Sequence, residues 1–348
     1  MNRVCSPLPA NDLDHILAHT APLWRELAGS RLFITGGTGF FGIWLLESIA
    51  AANDALGVGV GATVLSRDPQ RFAINNPRLA ARKEFKWLTG NAESFVVPAD
   101  RFDYVMHLAT PSAAELGAGD TALALATLLG TARVLQFARA CDARRLLLAS
   151  SGAVYGQQPA ELSHIPETYP GAPNPQHAPS AYGEIKRMSE LMCALTPELD
   201  CVIARGFSFF GPYLPLTGKF AMGSFIRDAL AGGPIRIHGD GTPVRSYLYV
   251  ADLVIWLLTL MLKGRPSHPY NVGSDQPISL VELAREVAAT THGAMIDIAR
   301  TPMASSPGAY VPDTRRARDE LGLDVFIPLS LGLSRTINWA RRRSQTLR

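Results

Sequence analysis

Thr35-Gly36-Gly37-Thr38-Gly39-Phe40-Phe41-Gly42 follows the short apolar run Arg31-Leu32-Phe33-Ile34 and leads into Ile43-Trp44-Leu45-Leu46-Glu47-Ser48-Ile49. The order of strand, glycine turn and helix decides the fold. Glycines at 36, 39 and 42 are spaced G-x-x-G-x-x-G rather than the commoner G-x-G-x-x-G. The physical demands are the same: one glycine permits the tight turn, one admits a phosphate close to the backbone, and one lets helix and strand pack closely. Free amides and the positive end of the helix dipole then face an anion. A glycine-rich turn without a ligand has the same composition. Its position between strand and helix favours a dinucleotide site, with Gly36, Thr38, Gly39, Phe40, Phe41 and Gly42 as the expected contacts.

Outward from that stretch, runs of strand character alternate with runs of helical character. The alternation predicts an α/β fold of Rossmann type, a doubly wound parallel sheet with helices on both faces. Towards the carboxyl terminus it loosens, so a smaller α+β substrate lobe is expected there. The expected division is a helical arm at 1–28, a dinucleotide-binding domain at 29–206 to which 240–263 returns, and a substrate lobe of 207–239 and 264–348. Asn53 to Gly61 reads as a glycine-rich loop. Phe220 to Leu230, Ser279 to Thr290 and Leu331 to Arg343 read as helices. Prolines at 159, 166, 170, 173, 175 and 179 rule out regular structure from Gly156 to Pro179. A loop covering a substrate is the natural reading of that stretch.

A second constellation lies about a hundred residues after the glycine turn. Leu146-Leu147-Leu148-Ala149 reads as a buried strand ending in Ser150-Ser151-Gly152-Ala153-Val154-Tyr155-Gly156. Ligands bind at that end of strands in open α/β sheets. Pro179-Ser180-Ala181 then opens a helix carrying Tyr182-Gly183-Glu184-Ile185-Lys186, whose spacing sets Tyr182 and Lys186 on one face. An ammonium beside a phenol lowers its pKa from about 10 toward neutrality. Such a tyrosine can take a proton from a sugar hydroxyl while a nicotinamide takes the hydride. Ser151 is placed to hydrogen-bond the same oxygen. A tyrosine and lysine four apart are usually only a solvated helix face. The glycine loop, strand-end serine and helix in order select the catalytic reading of Ser151, Tyr182 and Lys186.

From Arg31 to about Trp339 the chain resembles extended short-chain dehydrogenases/reductases of the NAD-dependent epimerase/dehydratase family, which act on nucleotide sugars. Tyr104-Val105-Met106-His107-Leu108-Ala109 resembles the family's fourth strand, which implies Leu108, Ala109 and Thr110 beside the cofactor. Arg205-Gly206-Phe207-Ser208-Phe209-Phe210-Gly211-Pro212 resembles the strand and loop that turn toward the sugar nucleotide. Gly239-Asp240-Gly241-Thr242-Pro243-Val244-Arg245-Ser246-Tyr247 resembles the segment whose arginine grips the diphosphate. Tyr270-Asn271-Val272-Gly273 and Glu320-Leu321-Gly322-Leu323 fit its carboxyl-terminal pattern. The resemblance implies a nucleotide-diphosphate sugar substrate contacted by Ser208, Lys219, Phe220 and Arg245. It also implies a homodimer formed through the helices around Thr121–Ala140 and Tyr182–Ala194.

Departures from the family pattern narrow the chemistry. Family dehydratases carry an Asp-Glu pair immediately after the residue matching Ser151, and family decarboxylases that make xylose nucleotides carry a glutamate where Ala153 stands. Gly152-Ala153 can neither donate nor accept a proton through a side chain. The expectation is therefore a 4-epimerase or 4-keto reductase. The alternatives are a dehydratase or decarboxylase with a non-standard acid, or a non-catalytic dinucleotide sensor. At the end of the second strand, Ser66-Arg67-Asp68 stands where NAD-specific sites place an acid and NADP-specific sites an arginine. Ser66 and Arg67 favour NADP(H), with NAD possible should Asp68 reach the ribose. Asn91 stands where the family often has aspartate near the adenine, and Ser208 replaces the usual asparagine near the diphosphate.

Of 348 residues 47% are hydrophobic, enough for one large core with an appended lobe. A net charge of +3 gives no argument for nucleic acid as a partner. Arg341-Arg342-Arg343 reads as a solvated helix end. The cysteines at 5, 141, 193 and 201 have no paired spacing, so thiols in a reducing cytoplasm are expected. No membrane segment is expected, since the apolar run from Leu253 to Leu262 is short and follows Asp252, a good helix cap. No metal is expected either: His15 and His19 have helical ligand spacing, but Ile16 stands where a zinc protease needs glutamate. Gly211 to Gly218-Lys219 is too long for a phosphate-binding loop and ends in Phe220. Ser151 lacks the Gly-x-Ser-x-Gly of a hydrolase elbow.

Overall fold

The computed structural model describes residues 8–111, 113–116, 119–216, 220–291, 293–300 and 308–346. The chain forms two units. One is Met1–Gly156, Gly171–Gly206 and Val254–Tyr270; the other is Gln157–Pro170, Phe207–Leu253 and Asn271–Arg348. The boundaries differ from the expected ones: 157–170 and 240–253 fall in the second unit, while 264–270 falls in the first.

Strands β1 (Arg31–Thr35), β2 (Gly61–Ser66), β3 (Phe85–Thr89), β4 (Tyr104–His107), β5 (Arg145–Ser151) and β6 (Asp200–Gly206) build the first unit. The sheet order is Pro269–Val272, β6, β5, β4, β1, β2, β3, and pairing among the six is parallel. Strand order reverses between β1 and β4, which makes that crevice the ligand-binding end of a doubly wound sheet. Helices cover both faces, so the central strands are buried almost throughout. That is why they read as continuous apolar runs rather than alternating ones.

The helices of this unit include α1 (Ala10–Glu26), α2 (Phe40–Leu56), α3 (Pro69–Asn75), α4 (Pro77–Ala80), α5 (Ala113–Leu116), α6 (Thr121–Ala140) and α7 (Ala181–Ala194), together with most of the helix Val250–Lys263. The amino-terminal arm is a packed element: α1 lies along α2 and buries Ile16, Leu23 and Trp24. Covered by α1 on one side and the sheet on the other, α2 is buried from Gly42 to Ala50. The loop read at Asn53–Gly61 is correspondingly shorter, because α2 continues to Leu56 and ends on Gly57 at φ +63°. Asn53 holds that end with its amide, donating to the Val60 carbonyl at 2.9 Å and accepting from the Val60 N–H at 2.8 Å. Beneath β1, the Phe33 ring meets Phe95, Phe102 and Phe137 with centroids 5.4, 5.4 and 4.5 Å away. By length and composition α6 is apolar enough to cross a bilayer; here it packs along α7 and over β4 and β5.

The second unit contains short pairs, Phe209–Phe210 with Leu248–Tyr249 and Ile235–Ile237 with Ile296–Ile298, and a three-stranded set ordered Ile278–Ser279, Val244–Arg245, Ala309–Tyr310. Its helices are Ala221–Leu230, Leu280–Thr290, Arg315–Leu321 and Leu329–Thr346. Ser279 and Glu282 form a reciprocal capping box at the second of these. Asp252 is not a cap: the helix Val250–Lys263 begins before it, and its buried carboxylate accepts from the Phe326 and Ile327 amides at 3.0 and 2.8 Å. Arg343 is not simply solvated either, because its guanidinium lies over Trp339 and Tyr213, 5.2 and 5.8 Å from the ring centroids.

A buried polar chain ties the sheet of the first unit to its helices. The Thr35 hydroxyl accepts from the Ala109 N–H at 3.1 Å and pairs with His107 Nδ1 at 2.8 Å. His107 Nε2 lies 3.2 Å from the Thr131 hydroxyl on α6, which lies 3.3 Å from the Ser189 hydroxyl on α7. Burial, with a contribution from nearby Lys186, holds the His107 pKa down at about 3. The imidazole is therefore neutral when folded and protonated when unfolded below about pH 6.5. The unfolded state binds the extra proton, so stability is lost as pH falls from about 6.5 toward 3. In His107→Gln that loss shrinks by about 1.4 kcal/mol for each pH unit in this window. Urea denaturation of both proteins at several acidic pH values checks it, and parallel pH profiles would refute it.

Candidate active site

The glycine turn between β1 and α2 is shaped by what a side chain there would strike. Gly36 has φ +72°, and a Cβ on it would lie 2.7 Å from the Ala109 N. On Gly42 it would overlap the Gly37 Cα, so the first turn of α2 can lie against the loop only with glycine. Gly37, which the spacing argument passed over, is also constrained: its Cβ would meet Val64 Cγ1 at 2.6 Å. Gly39 occupies the N-cap of α2, and no side chain caps that end. The first-turn amides of a long helix thus lack side-chain acceptors, and a pyrophosphate group fits such a cradle. Phe40 and Phe41 open the helix with ring centroids 5.8 Å apart, and Thr38 is partly exposed beside them. Leu108, Ala109 and Thr110 continue from β4, with the Leu108–Ala109 backbone close against Gly36.

At the end of β2, Ser66 is buried while Arg67 and Asp68 are exposed. Asp68 accepts from the Arg71 N–H at 2.8 Å and so caps α3. Its carboxylate already has a structural partner. Asn91 is exposed, and its carbonyl accepts from the Phe95 N–H at 2.9 Å.

Ser151, Tyr182 and Lys186 come together in the first unit. Ser151 ends β5, and its hydroxyl oxygen accepts from the Ala153 N–H at 3.1 Å, fixing the 3₁₀ turn Gly152–Tyr155. The Tyr182 phenol lies near enough to Ser151 for that hydroxyl to favour its ionised form. Helix α7 crosses close to this turn because residue 183 is glycine; a Cβ there would lie 2.5 Å from the Ala153 carbonyl oxygen. Lys186 is buried, and its Nζ donates to the Ala149 carbonyl at 2.5 Å and to the Thr110 hydroxyl at 2.6 Å. The lysine therefore fastens α7 to β5 and to the loop after β4.

The electrostatics correct one expectation. Burial raises the Tyr182 pKa above the ordinary tyrosine range, and the Ser151 hydrogen bond only partly offsets this. Lys186 does not bring it toward neutrality. Its Nζ stands 5.9 Å from the phenol ring centroid, and desolvation drops its own pKa to about 7 despite the opposing charge of Glu190. A partly discharged amine is a weak stabiliser of phenolate.

Ser208, Phe220 and Arg245 belong to the second unit. The Ser208 carbonyl accepts from the Leu248 N–H at 3.0 Å. Phe220 precedes the helix Ala221–Leu230 and is 48% exposed. Arg245 donates to the Val244 and Gly308 carbonyls at 2.7 and 2.8 Å. Lys219 lies outside the described residues. Among the described residues no cluster of His, Cys, Asp or Glu is arranged to hold a metal.

The chain is 30% identical over 317 residues to UDP-glucuronic acid decarboxylase 1 of Xenopus tropicalis, covering 90% of this chain and 72% of the relative. UDP-glucuronic acid decarboxylase 3 of Arabidopsis thaliana is 30% identical over 312 residues, covering 87% and 86%. Among solved structures, UDP-glucose 4-epimerase of Thermotoga maritima superposes with a TM-score of 0.77 at 22% identity, covering 91% of this chain and 100% of that one. The dTDP-glucose 4,6-dehydratase of Bacillus anthracis, in complex with NAD, gives 0.77 at 17% identity, covering 91% and 98%. Residues 32–273 match the model of the NAD dependent epimerase/dehydratase family, from the glycine turn through β6 and beyond. The chain belongs to the NAD-dependent epimerase/dehydratase family.

Proposed function

We propose that the chain is a nucleotide-sugar 4-epimerase or 4-keto reductase, working by hydride transfer at carbon 4 with a bound nicotinamide cofactor. The observation that carries it is the convergence of Ser151, at the end of β5, with Tyr182 and Lys186 on α7, next to a turn whose residues 152 and 153 offer no acid. The nicotinamide, when bound, supplies the hydride acceptor and donor. Ser151 donates to the sugar oxygen, Tyr182 exchanges a proton with it, and Lys186 holds the nicotinamide ribose. Because burial keeps Tyr182 protonated at neutral pH, it is set up as the acid that completes ketone reduction. Arg245, with Ser208 and Phe220, is assigned to the sugar nucleotide.

The relatives favour a second reading, decarboxylation of a sugar nucleotide acid. Oxidation at carbon 4 would make a ketone β to a carbon-5 carboxylate, and loss of carbon dioxide from such an acid needs no carboxylate at Ala153. Product mass separates the two readings. Across a panel including UDP-glucose, UDP-glucuronic acid and 4-keto sugar nucleotides, epimerisation leaves mass unchanged and reduction adds two hydrogens with oxidation of the nicotinamide. Release of carbon dioxide would overturn the proposal. Tyr182→Phe should lower kcat by about a hundredfold or more, and undiminished turnover would reject the mechanism.

NADP(H) is the favoured cofactor, since Asp68 is committed to capping α3 and Arg67 stands exposed beside it. Arg67→Ala should weaken NADP(H) binding about tenfold while leaving NAD(H) unchanged, as read by fluorescence titration. Tighter binding of NAD(H) by the unmodified protein would reverse the assignment.

A homodimer is proposed through α6 and α7. Leu125 and Leu129 on α6, Met188 and Leu191 on α7 and Leu195 just past its end are 56, 51, 39, 51 and 70% exposed. Adjacent helices carrying such apolar side chains mark an association surface. Leu191→Glu should give a monomer by light scattering where the unmodified chain gives a dimer; a monomeric unmodified chain would dismiss the interface.

A further inference from the structure

Behind the catalytic side chains lies a second buried polar group that the hydride chemistry does not use. Glu190 stands one helical turn after Lys186 on α7. Its carboxylate accepts from the Ser150 hydroxyl at 2.5 Å and from Arg205 at two guanidinium nitrogens, Nε at 3.0 Å and Nη2 at 2.7 Å. Arg205 Nη1 continues to the Tyr155 hydroxyl at 2.8 Å. Ser150 and Arg205 are neighbours across the β5–β6 pair. The Arg205 and Glu190 side chains are only 14 and 12% exposed. Consecutive residues of β5 are thus fastened to consecutive turns of α7. Lys186 takes the Ala149 carbonyl and Glu190 takes the Ser150 hydroxyl, so the next residue of the strand, Ser151, is held beside the α7 turn that carries Tyr182.

Resting on the hydride-transfer reading above, we propose that Glu190 is a positioning residue: with Arg205 it clamps the end of β5 to α7 and so holds Ser151 in hydrogen-bonding register with Tyr182. A largely buried ion pair with bidentate geometry is a stiff fastening, and removing one partner leaves the other charge mostly buried and unpaired. The charged and titratable groups facing Glu190 are Arg205 from β6, Lys186 and Cys193 on its own helix, and Ser150 from β5. Those facing Tyr182 are Ser151 from β5 and Lys186 on its own helix.

The test is the titration of Tyr182 in Glu190→Gln, followed by near-ultraviolet tyrosinate absorbance. The Tyr182 component is identified as the part missing in Tyr182→Phe. If the clamp sets the Ser151–Tyr182 register, loosening it withdraws the donor that favours phenolate, and the Tyr182 pKa moves up by about one unit. A carboxylate acting only through space would have the opposite effect, since removing a negative charge lowers the pKa of a nearby phenol. A purely structural role would lower the melting temperature and leave the titration where it was. Movement downward or no movement therefore overturns the proposal. In turnover, Glu190→Gln should lower kcat about tenfold, with KM for the sugar nucleotide within about twofold of the unmodified value. Should the single variant not fold, Glu190→Gln combined with Arg205→Met removes the stranded cation, and the same upward movement is expected. An unmodified chain inactive on every sugar nucleotide, yet showing this shift between variants, would sink the assigned reaction and leave the clamp standing. An active chain with an unmoved titration would do the reverse.

Discussion

One amine removed from water governs the active-site region: Lys186 Nζ, seated on a main-chain carbonyl of β5 and on the Thr110 hydroxyl. An ammonium in that position is costly to desolvate, which is why its pKa falls to about 7. The surrounding polar groups are arranged around that cost. Glu190 opposes it from one turn along α7, and His107 on β4 is kept neutral in part by it. Both α7 and the loop after β4 are fixed by the same nitrogen. The geometry of Tyr182 and Ser151 follows from where that nitrogen can be satisfied.

The same constraint revises how the phenol is understood. A lysine four residues from a tyrosine suggests a full charge next to a phenol. In the folded chain the amine points under β5 and the phenol leans on Ser151. Sequence spacing establishes that the two share a face, while the direction of each side chain depends on which acceptors the sheet offers, and those come from residues far away in the chain. The local rule was right about neighbourhood and wrong about which neighbour stabilises the phenolate.

Elsewhere legibility divides along a similar line. The parallel sheet and the roles of Gly36 and Gly42 were readable because strand burial and helix–strand approach leave local signatures in composition. The starts of two helices in the second unit, Ala221 and Leu280, were read to within one residue. What escaped were features decided by tertiary contact. Gly37 is glycine because of Val64 on β2. Asp252 looked like a cap and is instead an acceptor for amides some seventy residues later. Arg343 looked like a solvated end and rests on aromatic rings. Glu190 carries no motif, and His107 was legible only as part of a strand resemblance, since their partners lie on other elements.

The division of the chain has a consequence for how such a protein can be rebuilt. Polypeptide passes from one unit to the other at 156/157, 170/171, 206/207, 253/254 and 270/271. Neither unit is a continuous stretch, so no single crossover of genes within this region can exchange one lobe intact. A chimera joined at 206/207 would inherit Val254–Tyr270 from the wrong parent, leaving the first unit with a foreign helix and edge strand. Diversification of the second unit while preserving the first is thereby steered toward point changes and loop insertions rather than cassette exchange.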